Sequence, residues 1–187
     1  MAQPDKHIVF ISPGFPLDEQ DYLCIPPLQL FARELSQQPG IRLSVISLQY
    51  PYKAATTTWH GIPVRHCGGN NAGFPMRLRT WRRCLRHFRD LHRQHPVDVV
   101  HTFWYNEAAY LGQRLERQHG CRHICTLMGQ DALPQNAYLG RLRLRDMTTV
   151  AISARQSEAF ANATGSVPDH LIHWGLPAAT DALPAGR

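Results

Sequence analysis

The chain has 187 residues, with 20 Lys and Arg against 14 Asp and Glu and a formal net charge of +6. That length suits one hydrophobic core of α/β size rather than two, Met1–His7 lacks the apolar run of a secretion signal, and no stretch nears the roughly 20 apolar residues that span a bilayer. Five cysteines (Cys24, Cys67, Cys84, Cys121 and Cys125) without a C-x-x-C pair argue against a disulfide framework, so a reducing, cytoplasmic setting is expected.

Taken in chain order, His7–Ser12 (H-I-V-F-I-S) reads as a short apolar strand, followed by the breaker-rich loop Pro13-Gly14-Phe15-Pro16. A helix is expected from about Pro26 to Gln38, with Pro26 and Pro27 in its first turn, Leu28, Phe31 and Leu35 on its buried side, and Gly40 at its exit. Arg42–Leu48 is a second strand, and Ile62–Cys67 a third after the turn Trp59-His60-Gly61. Asn70 and Asn71 mark a loop before a long arginine-rich helix.

Val97–Thr102 is a fourth strand, Asn106–Gln118 a helix closed by Gly120, and Arg122–Met128 a fifth strand. A helical stretch is expected over Asn136–Arg145, then a strand over Thr148–Ile152. Ser153 can cap the next helix while Gln156 reaches back to form a capping box. Leu171–Trp174 is a short last strand before Gly175. This alternation predicts a doubly wound, Rossmann-like α/β domain with a parallel sheet and right-handed crossovers. Ligands of such sheets bind beyond the carboxyl ends of the strands, where the strand order reverses. Pro13–Phe15, His101–Asn106, Met128–Asp131 and Ser153 are therefore the segments of interest.

The charge surplus is local. Between Met76 and His95 there are seven arginines and one acid, which leaves 13 basic and 13 acidic residues elsewhere. At about 100° per residue, Leu78, Trp81, Cys84, Leu85, Phe88 and Leu91 share one side, with Arg79, Arg82, Arg83, Arg86, Arg89 and Arg93 on the other. The face suits ordinary solvation or contact with anionic headgroups. No RNA-binding signature accompanies it, so nucleic acid is not an expected partner. His119, Cys121, His123 and Cys125 match no standard zinc spacing, and no metal is expected.

The order of a proline-glycine loop after strand one, D-V-V-H-T-F-W-Y-N-E-A from Asp98, T-L-M-G-Q-D-A from Thr126, V-A-I-S from Val150 and a terminal H-W-G-L-P from His173 resembles the amino-terminal domain of GT-B glycosyltransferases of family four. The similarity runs from His7 to about Pro177, with residues 1–178 as the acceptor-side domain. Residues 179–187, including Asp181–Arg187, look like the start of an interdomain linker. The resemblance implies a retaining transfer of sugar from a nucleotide-sugar co-substrate to a glycan or lipid-linked acceptor, with no further cofactor. The donor would be held by a second domain, in cis or in trans. The paired glutamates of that half, seven residues apart, have no counterpart among Glu19, Glu34, Glu107, Glu116 and Glu158.

Carried onto this chain, the resemblance puts Gly14 and Phe15 in a loop that approaches donor phosphate or acceptor, although a simple turn suits them equally. His101, at the end of strand four, could bond a sugar hydroxyl or transfer a proton, or be a satisfied sheet-edge histidine. Trp104 and Tyr105 could stack on a sugar or lipid face, and Asn106 better suits helix capping. Met128 occupies the position where similar enzymes place a histidine, and it brings no proton. Gly129 and Gln130 remain at the tip to meet sugar hydroxyls. Asp131 is open to two roles, a base or a carboxylate that fixes loop amides. Two further readings stand beside the enzyme: a non-catalytic acceptor-binding or membrane-recruiting subunit, and a flavodoxin-like sugar-phosphate binder.

Overall fold

The computed structural model describes residues 6–133 and 135–175. Eight strands form one sheet in the order β3-β4-β2-β1-β5-β6-β7-β8. They are β1 (Lys6–Gly14), β2 (Ile41–Tyr50), β3 (Ala55–Trp59), β4 (Ile62–His66), β5 (Val99–Phe103), β6 (Arg122–Thr126), β7 (Thr148–Ala151) and β8 (His170–Leu171). Every neighbouring pair is parallel except β3 with β4. The helices are α1 (Pro26–Ser36), α2 (Met76–Gln94), α3 (Glu107–His119) and α4 (Ala154–Thr164).

The central strands are continuous apolar runs because both faces are covered. Val9, Ile11, Ile46, Leu48 and Val100 pack beneath Cys84, Phe88 and Leu91 of α2 and Leu111 and Leu115 of α3. Phe10, Val45, Val64 and Phe103 pack on the opposite face with Leu28 and Ala32 of α1. Burying such side chains contributes about 1.5–3 kcal/mol each, so the amphipathic spacing of α2 selects which of its faces meets the sheet. A third cluster joins Tyr105, Ala109, Leu127, Met147 and Phe160, and seats α4 against the β6–β7 connection.

Three sequence expectations require correction. Ala55–Trp59 is an antiparallel edge strand, paired with β4 through a tight turn in which His60 and Gly61 both have positive φ. Two positive-φ residues between two strands form a hairpin, so Trp59 belongs to the strand rather than the turn. Residues 136–145 form no α-helix; the connection holds turns and two short 3-10 segments, Gln130–Ala132 and Leu144–Asp146. Asn136 explains this in part. Its side chain donates to the carbonyls of Tyr105 and Asp131 at 2.7 Å each and its Oδ1 accepts from Tyr138, which competes with helical pairing. The last strand is His170–Leu171, shorter and earlier than expected. The linker assigned to residues 179–187 lies outside the described residues.

Two expected caps are present. Asn106 Oδ1 accepts from the Ala108 amide at 2.8 Å to start α3, and Ser153 Oγ accepts from the Gln156 amide at 3.2 Å to start α4. The return contact of Gln156 goes to the Ile152 amide, one residue earlier than in the usual capping box.

Candidate functional site

The strand order reverses between β1 and β5. The chain leaves β1 towards β2 and β4, then returns to pair β5 with the other side of β1. The carboxyl ends of these two strands are where a doubly wound sheet opens a ligand crevice. Trp104, Met128 and Trp174 are half-buried and pack on the Phe10–Phe103 cluster beneath this opening. Each packs on that cluster separately, Trp174 also lines a groove along the α1 face of the sheet, and an indole is a side chain suited to stacking on a sugar face. Trp104 is held with φ of 70°, its amide donating to the Thr126 carbonyl at 3.0 Å.

After β6 comes the lip Gly129-Gln130, both exposed. Gly129 has φ of 95°, and a Cβ there would meet nothing within 4 Å. The glycine is therefore needed for its backbone conformation rather than for space. Gln130 brings a carboxamide that can both donate and accept.

Asp131 is 3% exposed. Its carboxylate accepts the Met128 amide, and the Tyr105 backbone amide also favours its charged form. Burial nevertheless dominates and pushes its pKa up to about 6. With its oxygens bonded to backbone amides, Asp131 fixes the loop, the second of the two roles the sequence left open.

His101 is likewise held from within. Strand β5 continues to Phe103, so His101 lies below the edge, its ring stacked on Phe103 with centroids 4.4 Å apart. Its Nε2 lies 2.7 Å from Thr126 Oγ1, and burial drives its pKa down to about 3. A neutral imidazole held by a hydroxyl in an aromatic cage is not poised to exchange protons near pH 7. It instead lines one wall of an apolar groove of about 730 Å3 that runs from Phe31 past Thr126 to Trp174.

Phe15 is fully buried against Trp59, their centroids 5.1 Å apart, so it cannot touch a ligand. Tyr105 is also buried, edge-on to Phe160 at 5.2 Å. Gly14 closes β1, and its Cα faces Cys24, Tyr50 and Ile25, which cover it. The acidic stretch behind it is committed locally: Asp21 accepts from the Tyr50 hydroxyl at 2.8 Å, and Asp18 from the Gln20 amide at 2.9 Å. Asn106 and Ser153 use their side-chain oxygens as caps. Of the named positions, then, Trp104, Met128, Gly129 and Gln130 lie half-buried or exposed at the carboxyl ends of β5 and β6, while Gly14, Phe15, His101 and Asp131 are buried.

Sequence reasoning missed two features. Trp174 joins the aromatic cluster, 6.3 Å from Phe103 between ring centroids. Glu107, in the first turn of α3, accepts from the Trp81 indole at 2.8 Å and from the Gln49 amide, tying α2, β2 and α3 together at the edge. Gln49 in turn accepts the Asn71 amide at 2.8 Å. An acid after an N-cap reads simply as dipole compensation, so only tertiary contact distinguishes this one.

Among the described residues no group of three His, Cys, Asp or Glu is placed to hold a metal ion. His123 turns its Nε2 to Thr102 at 2.9 Å, and Cys121 and Cys125 are buried with their thiols pushed up to about 11 and, for Cys125, beyond.

Solved structures share the fold. A sucrose-phosphate synthase from Thermosynechococcus elongatus aligns with TM-score 0.61 at 14% identity, over 92% of this chain and 91% of that one. A longer chain of that enzyme aligns with TM-score 0.58 at 13% identity, over 90% of this chain and 47% of that one. A UDP-GlcNAc 2-epimerase from Methanocaldococcus jannaschii aligns with TM-score 0.54 at 12% identity, over 89% and 45% respectively. This chain thus spans about half the length of the latter two. No family model and no curated protein matches the sequence. The chain has the Rossmann-like fold of an amino-terminal GT-B domain.

Proposed function

We propose that this chain is the acceptor-side half of a retaining glycosyltransferase that moves a sugar from a nucleotide-sugar to a glycan or lipid-linked acceptor. The observation that carries the reading is the carboxyl edge at the β1–β5 reversal, where Trp104, Met128 and Trp174 pack half-buried on one aromatic cluster and Gly129-Gln130 stands exposed after β6. Indoles stack on the C–H face of a pyranose while a carboxamide and open amides bond its hydroxyls, which together fix orientation.

The chemistry follows from what the edge supplies. His101 and Asp131 are both engaged by internal hydrogen bonds, so in this reading the acceptor hydroxyl loses its proton to a group outside this domain. In a retaining reaction on the same face, the departing phosphate oxygen of the donor can take that proton. The contribution of this half is then proximity and orientation, which can supply roughly 7–11 kcal/mol of a barrier when reacting atoms are well aligned. The donor is bound by a second domain facing this edge, and no metal or further cofactor is required.

A turnover assay with residues 1–187 and a panel of nucleotide-sugars tests the division of labour. No transfer is expected; measurable turnover by this chain alone would refute it. Met128, where similar enzymes hold a histidine, favours a second reading: a non-catalytic acceptor-binding or membrane-recruiting subunit of a split enzyme. Restoring the partner domain separates the two. Transfer that requires both parts supports the enzyme, and transfer by the partner without this chain supports the subunit.

A further inference from the structure

We infer that the outer face of α2 and the loop that leads into it form a docking surface for an anionic lipid bilayer. Among the described residues ten large hydrophobic side chains are exposed, and two of them, Phe74 and Met76, lead directly into α2. Exposed apolar residues scattered singly need no explanation, but a near-adjacent pair at the head of an arginine-faced helix does. Phe74 is the extreme case at 81% exposure, and Met76, at 49%, begins α2 two residues later.

The arginine stripe continues from this point. Arg79, Arg82, Arg86 and Arg89 are all exposed, on the side of α2 opposite Thr80, Cys84, Phe88 and Leu91, which face the sheet. The one acid on the helix, Asp90, lies 4.0 Å from Arg93. None of the other four arginines has a carboxylate partner among the described residues. Arg83 does not belong to the stripe, because its guanidinium donates to the Cys67 carbonyl at 2.8 Å and fastens α2 to the end of β4.

An apolar wedge at one end of a helix whose outer face carries unpaired arginines is the arrangement that peripheral helices use at an interface. The wedge enters the headgroup–acyl boundary while each cation near an anionic surface adds attraction. Among the described residues no helix is long and apolar enough to cross a membrane, so the contact lies on the surface of the bilayer. Soluble polyanions share the electrostatic attraction but offer no apolar phase for Phe74 and Met76, so the two halves of the surface together favour a bilayer. The inference stands independently of the sugar-transfer reading, since it uses none of the crevice residues.

The test is co-sedimentation of the chain with phosphatidylcholine vesicles, plain or containing about a quarter phosphatidylglycerol, an anionic fraction that sets the negative surface potential. Two variants accompany it, Arg82→Gln/Arg86→Gln/Arg89→Gln and Phe74→Ser/Met76→Ser, each checked for native circular dichroism. All five positions are exposed, so both variants should fold. The parent should bind anionic vesicles and not neutral ones. The arginine variant should bind at least about tenfold more weakly, and the Phe74/Met76 variant should also bind anionic vesicles more weakly than the parent at the same salt. Absent parental binding, equal binding to neutral vesicles, or either variant binding as the parent does would overturn the inference. So would salt-sensitive binding to single-stranded RNA that exceeds binding to anionic vesicles.

Discussion

The Asp131 carboxylate accepts a hydrogen bond from the amide of Met128, three residues earlier, and so closes the loop that presents Gly129 and Gln130. Asn136 reinforces the same loop from below, through the carbonyls of Tyr105 and Asp131. An acidic side chain at the tip of a β-strand therefore acts as scaffolding, and the exposed chemistry passes to its neighbours.

Because burial raises the Asp131 pKa to about 6 in the fold, the folded state holds a proton that the unfolded chain has released. Its contribution to stability is thus present at low pH, is lost as pH rises from about 4 to about 6, and stays lost above that. Asp131→Asn keeps an acceptor for Met128 and removes this titration. Urea unfolding of variant and parent at pH 4.5 and pH 7 should show the difference shifting in the variant's favour with rising pH, by roughly 2 kcal/mol. A difference independent of pH would contradict the assignment.

Three buried histidines act in the opposite sense. Burial lowers the pKa of His66 to about 4 and of His101 and His123 to about 3. The unfolded chain takes up these protons below its ordinary histidine pKa of 6.5, while the folded state refuses them, so stability falls as pH drops from about 6.5 towards 4. Between pH 7 and pH 5 the three together should remove on the order of 5 kcal/mol, well above the opposing gain from Asp131. Replacing His66, whose ring bridges Ser47 and Thr57 at 2.7 and 2.9 Å, with Gln should make this slope shallower.

Gly112, in the middle of α3, is set by contact rather than by conformation. A Cβ there would lie 2.5 Å from Thr102 Cγ2 and nearer still to His123 Nε2, in a buried pair that is hydrogen-bonded at 2.9 Å. Alanine normally gains up to about 1 kcal/mol over glycine within a helix. Here overpacking at a cost of about 1–3 kcal/mol should outweigh that gain, and thermal unfolding of Gly112→Ala should show a lower Tm than the parent.

The two glycines of the crevice region should differ. Gly129→Ala meets no clash but must adopt φ of 95°, which costs about 1–3 kcal/mol and should distort the lip. In Gly14→Ala the nearest atoms are 3.4 Å away and φ lies outside the left-handed region, so the substitution should cost less than Gly129→Ala. Chemical denaturation of the two variants side by side checks the contrast.

Much of the fold could be read from the sequence because this sheet is buried on both faces. Continuous runs such as V-I-S-L in β2 and the 3.6-residue spacing of α2 need no tertiary knowledge, and neither do the caps at Asn106 and Ser153. Strand β3 escaped notice because A-T-T-T-W is mostly polar and lies at an edge, where pairing rather than burial makes the strand. The expected helix over 136–145 failed because Asn136 spends its side chain on distant carbonyls.

The site was less legible for a related reason. A loop position says that Phe15, Tyr105 and Asp131 lie near the edge but not which way each side chain turns, and in all three it turns inward. Trp174 could have been found only by placing β8 in the sheet and seeing it return beside Phe103.

Amide NMR of the chain titrated with simple glycosides addresses the crevice directly. Binding at the proposed site should shift the amides of Trp104, Asn106, Met128, Gly129 and Gln130 and the indole signals of Trp104 and Trp174, and Gln130→Ala should weaken it. Shifts confined to the amino-edge cavity around His7, Ser44 and Arg65, or no sugar-dependent shift with any glycoside, would contradict an acceptor site at the β1–β5 reversal.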